Sequence, residues 1–244
     1  MKNLAVCLLA FLPLLGFAQA TEPIPKHMVL ARELVETVRP ENNLYNATPT
    51  ATGIHWASDG HPENKVDTMC SEFVGGVLKK ANNTTYDMLK AYTRKTRFLH
   101  TNNFVEAVNK DILQKVQDIR EVKVGDIMVF TCQQKCATAG GIPAQGHVAF
   151  VDAVPEKIVG HRPVVPGTTQ WKVTLIDSTD SLHDSEDTRN YRFLSRPKAT
   201  GVGRGSFTVY VDGDGKFAGY SSGWHHTYFD SSQRPLMFVR PIPQ

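Results

Sequence analysis

Apolar positions recur with a helical period through the first half of the chain and with a period of two through the second. Between Pro25 and Val38 the apolar residues are Met28, Ala31, Leu34, Val35 and Val38, one face of a helix that Pro40 ends. From Cys70 onward Phe73, Val74, Val77, Leu78 and Ala81 make a second such face, and two more helical stretches are predicted near Tyr86–Thr93 and near Phe104–Ile119. The segment from Glu41 to Val66 is rich in Asn, Thr, Gly and Pro and has no period, so it reads as a long loop. The period then changes. Gly125–Phe130, His147–Val151 and Trp171–Asp177 read as strands, Ser206–Val211 and Lys216–Tyr220 as a hairpin around Asp212-Gly-Asp-Gly215, and Leu236–Arg240 as a last strand. Ser178–Thr200 is polar and charged, the pattern of a surface loop or lid. With no internal repeat, helices followed by an antiparallel sheet predict one α+β domain.

The amino terminus changes this picture. Met1-Lys-Asn, an apolar run from Leu4 to Phe17 and the small-x-small exit Ala18-Gln-Ala20 read as a secretory signal of residues 1–20, with the mature chain starting at Thr21. No cysteine follows the cut, so a lipid anchor is not expected, and no later run approaches the roughly 20 apolar residues of a membrane helix. The expected location is periplasmic or secreted. With 27 basic and 24 acidic side chains and no run of Lys or Arg, nucleic-acid binding has no electrostatic footprint. The sequons at Asn46, Asn82 and Asn83 are read as chance, and nothing in the pattern bears on oligomeric state.

Cys7 leaves with the signal, so three thiols remain, Cys70, Cys132 and Cys136, in an oxidising compartment. Bridging Cys132 to Cys136 leaves Cys70 free; a metal or redox role for the C-x-x-x-C pair is the alternative. Asp67 or Thr68 stands where an N-cap belongs, which puts Cys70 in the first turn of its helix, where the dipole and unpaired N–H groups favour a thiolate. His147 follows Gly146, whose missing side chain leaves room for a substrate backbone, and is the candidate base. Asp177 shares a strand face with Val173 and Leu175 and is the candidate orienting carboxylate; it also opens Asp-Ser-Thr-Asp-Ser, which equally suits a turn. The Cys70 backbone N–H is the candidate oxyanion donor, with Asn64 or Trp56 of the preceding loop assisting on the substrate side. His183 is either a substrate contact or a solvated loop residue. Asp212 and Asp214 fit a hairpin turn better than a calcium loop, and His225-His226 beside Trp224 reads as surface. Neither a metal nor an organic cofactor is required. Cys70 as an inert core thiol and His147 as a strand-end histidine are the bland readings of the same residues.

Asp67-Thr-Met-Cys70-Ser-Glu-Phe-Val74 resembles the nucleophile helix of NlpC-type and CHAP-type cell-wall peptidases and amidases, within the papain-like superfamily. Gly125-Asp-Ile-Met-Val-Phe130 and Gly146-His-Val-Ala-Phe-Val151 are similar to that superfamily's G-D-hydrophobic and G-H-V strands, and Arg240-Pro241 to the end of its last strand. The resemblance covers about residues 66–177. It implies a papain-like hydrolase domain over 21–244, with a helical insertion at about 85–120 and a C-terminal β extension. It also implies catalytic roles for Cys70, His147 and Asp177, and a peptidoglycan stem peptide or related amide as substrate. The chain departs from the pattern in its loosened Asp-Thr-Met-Cys-Ser-Glu and in Tyr45, which lies further upstream than the usual tyrosine. A non-catalytic envelope-binding module, a thiol acyltransferase and a redox protein using Cys132 and Cys136 are the rival readings.

Overall fold

A computed structural model describes residues 23–92, 98–136, 144–190, 200–222 and 226–242, the side chains of 133–136 and 144–145 excepted. The signal-like segment, Trp224 and His225 lie outside the described residues.

The described residues open with helix α1 (Lys26–Thr37), its apolar face buried through Met28, Ala31 and Leu34. The stretch predicted as a loop carries three short strands, β1 (Asn43–Tyr45), β2 (Gly53–His55) and β3 (Lys65–Thr68), in a small sheet ordered β1-β3-β2. Strands of this length in turn-rich sequence show no period, and tertiary pairing supplies what the pattern lacks. The Asn43 side chain, for example, both accepts from the Val202 backbone N–H and donates to the Val202 carbonyl. Helices α2 (Cys70–Lys80), α3 (Thr84–Tyr92) and α4 (Thr101–Val108) follow.

The helix expected to run to Ile119 instead ends at Val108. Asp111 takes a left-handed φ of 56°, and the chain continues extended as β4 (Gln114–Val116). Val108, Ile112, Val116 and Ile119 are spaced as a helix face would be, but Ile112 packs with the helices while Val116 and Ile119 pack on the far side of the sheet.

The remaining strands are β5 (Ile127–Cys136), β6 (Ala144–Val151), β7 (Glu156–Ile158), β8 (Thr168–Thr179), β9 (Gly201–Asp212), β10 (Phe217–Ser222), β11 (Tyr228–Asp230) and β12 (Leu236–Arg240). With β4 they form a nine-stranded sheet in the order β11-β10-β9-β8-β6-β5-β12-β4, with β7 paired to β8. Every pairing in it is antiparallel. The molecule is thus α+β, with four α-helices among the described residues packed on a large antiparallel sheet. Of the strands beyond residue 200, β12 lies between β5 and β4, whereas β9, β10 and β11 continue the sheet outward from β8. Asp212-Gly-Asp-Gly215 is the β9–β10 turn, as expected: the Asp212 carboxylate accepts from the Asp214 and Lys216 N–H groups.

Both faces of the sheet are buried, which is why its strands alternate two apolar sets. Val148, Phe150 and Ile176 pack with Met28, Leu34, Phe73, Val77 and Leu78 of the helices. Ala149, Val151, Val173, Leu175, Val209 and Phe238 form a second core on the other face, and the sheet curls until Phe217 of β10 meets Phe238 of β12, ring centroids 5.1 Å apart. Two motif residues hold this frame. Asp126 is buried and takes both arms of Arg240 at 2.7 and 2.9 Å, tying the start of β5 to the end of β12. Gly125, at φ 94°, leaves space that a Cβ would contest with His27 Nε2 at 2.8 Å.

One irregularity positions everything that follows. β8 pairs with β9 along its whole length, but with β6 only at Phe150↔Ile176 and Val151↔Leu175. Toward His147 the strands part. The first turn of α2 fills the opening, packing on both β6 and β8, and the Ser178 hydroxyl donates to the Thr68 carbonyl at 2.9 Å to hold it there.

Candidate active site

Cys70 is the first residue of α2 and a free, buried thiol. Neither Asp67 nor Thr68 caps the helix: Met69 holds the cap position with no side-chain hydrogen bond. The Asp67 carboxylate instead accepts from the Thr52 N–H and hydroxyl at 3.0 and 2.9 Å, because β3 turns its side chain toward β2. With no side-chain cap, the first-turn N–H groups still point out of the helix around the sulfur.

The split between β6 and β8 lets this sulfur reach the sheet. It shares a hydrogen bond with the His147 imidazole and accepts another from the Val148 N–H. Burial by itself pushes the thiol up; the charge and hydrogen bond of His147, with the Val148 N–H, overcome this and bring it below its ordinary value, although Asp177 opposes them. His147 lies on the second face of the sheet with Ala149 and Val151, and its Nε2–H donates to Asp177 Oδ2 at 2.5 Å. Nδ1 is therefore the nitrogen left to face the thiol. Burial works against a charge on this ring too, but the Cys70 thiolate and the Asp177 carboxylate outweigh it and push the imidazole up to about 10.

The space beside Gly146 is not reserved for substrate, as its sequence context had implied. At φ 137° a Cβ there would lie 2.0 Å from the Phe130 carbonyl oxygen and 2.8 Å from Thr131 Cα, so the missing side chain admits the backbone of β5. It lets His147 approach that strand, where its ring packs on Phe130 with centroids 5.6 Å apart.

Asp177 does not form a turn. It sits inside β8, fully buried, on the face of Val173 and Leu175 as the alternation predicted. Both its oxygens are occupied: Oδ2 accepts from His147 and, at 2.6 Å, from His183 Nε2, while Oδ1 accepts from Arg189 Nη1 at 2.5 Å. Arg189 is itself buried and held by Asp187 at 2.9 and 2.7 Å. Burial opposes a charged Asp177, but His183, Arg189 and His147 together hold its carboxyl well below the usual range. His183 is not a solvated loop residue: it is 4 % exposed, and the described part of the Ser178–Thr200 segment folds inward to place it and Arg189. Neither residue carries a periodic signal, and charged loop sequence ordinarily means solvent.

Trp56 and Asn64 are not brought to the sulfur as donors. Asn64 accepts from the Ala57 N–H and donates to the Thr37 hydroxyl, both at 2.8 Å, and so braces α1 against the loop. Trp56 is buried in the helical core with the Lys80 ammonium over its ring at 5.7 Å, lining a groove of about 800 Å³ beside Glu72, Gly76 and Tyr86. Tyr45, which the motif resemblance places further upstream than the usual tyrosine, comes close to the sulfur through strand pairing. The parallel register pairs it with Thr68, two residues before Cys70. Burial raises its hydroxyl, and the nearby charges of Cys70, Asp180 and Asp177 raise it further, so it stays protonated beside the site.

Cys132 is disulfide-bonded; the side chain of Cys136, its expected partner, lies outside the described residues. His147, Asp177 and His183 bring three metal-ligand atoms within 4.8 Å of one another. Both nitrogens, however, already stand at direct hydrogen-bond distance from one oxygen, and an ion bound at about 2.0–2.2 Å from each would have to part them.

The described chain thus holds a thiol–imidazole pair backed by a buried carboxylate, the arrangement that activates a sulfur nucleophile. Comparison of the chain with protein-family models, with characterised proteins and with solved structures finds no match.

Proposed function

We propose that this chain is an exported cysteine hydrolase of papain-like, NlpC-type architecture that cleaves an amide bond through a thioester on Cys70. The observation that carries the reading is the unbroken hydrogen-bonded run from the Cys70 sulfur through His147 to a buried Asp177. The thiolate attacks the amide carbonyl carbon, and the Cys70 backbone N–H at the helix start, with the Tyr45 hydroxyl, faces the developing oxyanion. As the C–N bond breaks, Nδ1 of the His147 imidazolium gives its proton to the departing amine, leaving an acyl thioester. Water then adds to that carbonyl as His147 takes its proton, and collapse releases the carboxylic acid and restores the thiolate–imidazolium pair.

A non-catalytic binding module of the same fold has no use for this set of buried charges. Buried ion pairs seldom add stability over apolar packing, so their presence at one thiol favours chemistry. The substrate we assign is an amide of a peptidoglycan stem peptide, on the motif resemblance and on the signal-like residues 1–20, which would deliver the mature chain from Thr21 to the periplasm or beyond. No helix among the described residues is long and apolar enough to cross a membrane.

The test is digestion of purified peptidoglycan by wild type and Cys70→Ala, followed by mass analysis of the soluble fragments. New amine and carboxyl ends made only by the wild type support the assignment, whereas identical fragment patterns defeat the cell-wall substrate. An added amine that appears in the product in place of water would make the chain an acyltransferase.

A further inference from the structure

Asp177 Oδ2 accepts from two imidazoles at once, and one of them has no part in the mechanism above. His183 Nε2 lies 2.6 Å from the same oxygen that takes His147 Nε2 at 2.5 Å, and the two rings stand edge to face with centroids 6.0 Å apart. Resting on the proposed thiol chemistry, we infer that His183 is a positioning residue: its Nε2–H fixes the Asp177 carboxylate toward His147 and shares the oxygen that holds it.

The surroundings of His183 are built for this. Its backbone N–H donates to Asp187 Oδ2 at 3.0 Å, Asp187 grips Arg189, and Arg189 holds Asp177 Oδ1, so a closed ring of hydrogen bonds runs from His183 through the loop and back to His183 through Asp177. β9 makes room for the ring with glycines. A Cβ at Gly203 would lie 2.6 Å from the Arg189 side chain, and one at Gly205 would lie 2.6 Å from Asp187 Oδ2 and 2.9 Å from His183 Cβ. The His183 imidazole packs on Phe207 with centroids 4.5 Å apart, which leaves its edge directed at the carboxylate. Arg189 anchors one oxygen, and His183 gives the other a hold that does not depend on where the His147 ring stands.

A shared oxygen has a further consequence. Each N–H that it accepts draws on the same charge, so His183 tempers the grip of Asp177 on the proton of His147. Removing the His183 donor therefore has two effects of opposite kind. The carboxylate loses an anchor and turnover falls, while His147 holds its proton to higher pH.

The test uses the full mature chain and needs no substrate. Alkylation of Cys70 by iodoacetamide is followed against pH in wild type, His183→Phe and His183→Gln. The wild type should react in two steps, a lower one as the thiolate–imidazolium pair forms and an upper one as His147 loses its proton. In His183→Phe, which keeps the ring on Phe207 without the donor, the upper step should rise by about half a unit to one unit. Fragment release from peptidoglycan should fall roughly 10- to 100-fold in the same variant. His183→Gln, whose amide can donate to Oδ2, should restore both toward wild type. An unmoved upper step in folded His183→Phe, or a Gln variant that behaves like Phe, overturns the inference. A single ordinary thiol titration in the wild type removes the ion pair and the proposed function with it; two steps without hydrolysis remove only the hydrolase reading. Should the Phe variant not fold, nitrogen NMR of histidine-labelled wild type decides: a protonated His183 Nε2 coupled to a downfield, exchange-protected proton supports the inference, and an unprotonated one overturns it.

Discussion

Replacing Asp177 by Asn removes one charge and nothing else of size, so its consequences can be worked from the contacts. Three donors converge on this carboxylate, from His147, His183 and Arg189. An amide offers one acceptor oxygen and an NH2 group. If the oxygen faces the imidazoles, the amide nitrogen confronts the Arg189 guanidinium; if it faces Arg189, both imidazole N–H groups lose their acceptor and His147 is free to move its proton to Nδ1, where it can no longer accept one from the thiol. The His147 imidazole stands at about 10 against an ordinary 6.5, held there by the thiolate and Asp177 against burial. If the carboxylate supplies about half of that rise, its loss lowers the value by roughly 2 units, or about 2–3 kcal/mol. The sign is fixed: a weaker hold on the proton means that imidazolium disappears at lower pH. The upper step of Cys70 alkylation, and the alkaline limb of hydrolysis, should therefore move down by about 1–2 units, opposite to the shift expected for His183→Phe. Turnover should fall by about 10²–10⁴-fold, the range seen when an orienting carboxylate is neutralised. Arg189 keeps Asp187, so the stability cost, read as a drop in urea midpoint, should be about 3 kcal/mol, at the low end for a broken buried pair. An Asp177→Asn protein within about threefold of wild type in turnover, with an unmoved alkaline limb, would refute the assignment of this residue.

Gly146→Ala should cost about 3 kcal/mol or more in urea unfolding, because its Cβ meets the Phe130 carbonyl oxygen at 2.0 Å; a loss under about 1 kcal/mol would show that β5 yields there. His27 is buried against Gly125 O, and burial lowers its pKa despite that hydrogen bond and Asp126. Below about 6.5 the unfolded chain then takes up a proton that the folded one refuses, so stability is full above that pH and declines as pH falls through it. His27→Gln, which retains a donor to Gly125, should remove about 1 kcal/mol of the difference in unfolding free energy between pH 7.5 and 5.5; equal slopes in both proteins would contradict this. If Cys132 is bridged to Cys136, replacing both by Ser should cost about 2 kcal/mol for so short a loop and leave Cys70 alkylation as it was. Loss of peptidoglycan cleavage to the level of Cys70→Ala would instead bring back the redox reading.

What was legible in the sequence was whatever a local period expresses. The faces of α1 and α2 and the alternation of β5, β6, β8, β9, β10 and β12 follow from side-chain spacing alone, and the same alternation puts Asp177 on the face of Val173 and Leu175. Cys70 in a first turn and His147 on a strand were likewise readable, each from its own few neighbours. β1, β2 and β3 were not, since three or four residues of turn-rich chain acquire a strand conformation only from their partners, and β4 was masked by apolar spacing that fits a helix equally well.

The loop that completes the site was misread for a reason that can be put in terms of charge. Polar sequence such as His183-Asp-Ser-Glu-Asp-Thr-Arg189 ordinarily stays in water, and nothing local says otherwise. The sign of burial lies across the sheet, where Gly201, Gly203 and Gly205 leave every second position on one face of β9 bare over its first five residues. A bare face on a central strand must be covered, and the space over these three is taken by Asn43, by Arg189 and by Asp187 with His183. Charged groups can fill such a space only if they nearly cancel. Asp177, Asp187 and Arg189 sum to one negative charge, and the two imidazoles bonded to Asp177 Oδ2, those of His147 and His183, stand closest to it. Neutralising its own buried network thus helps the fold keep His147 protonated, and a protonated His147 is what holds Cys70 as a thiolate.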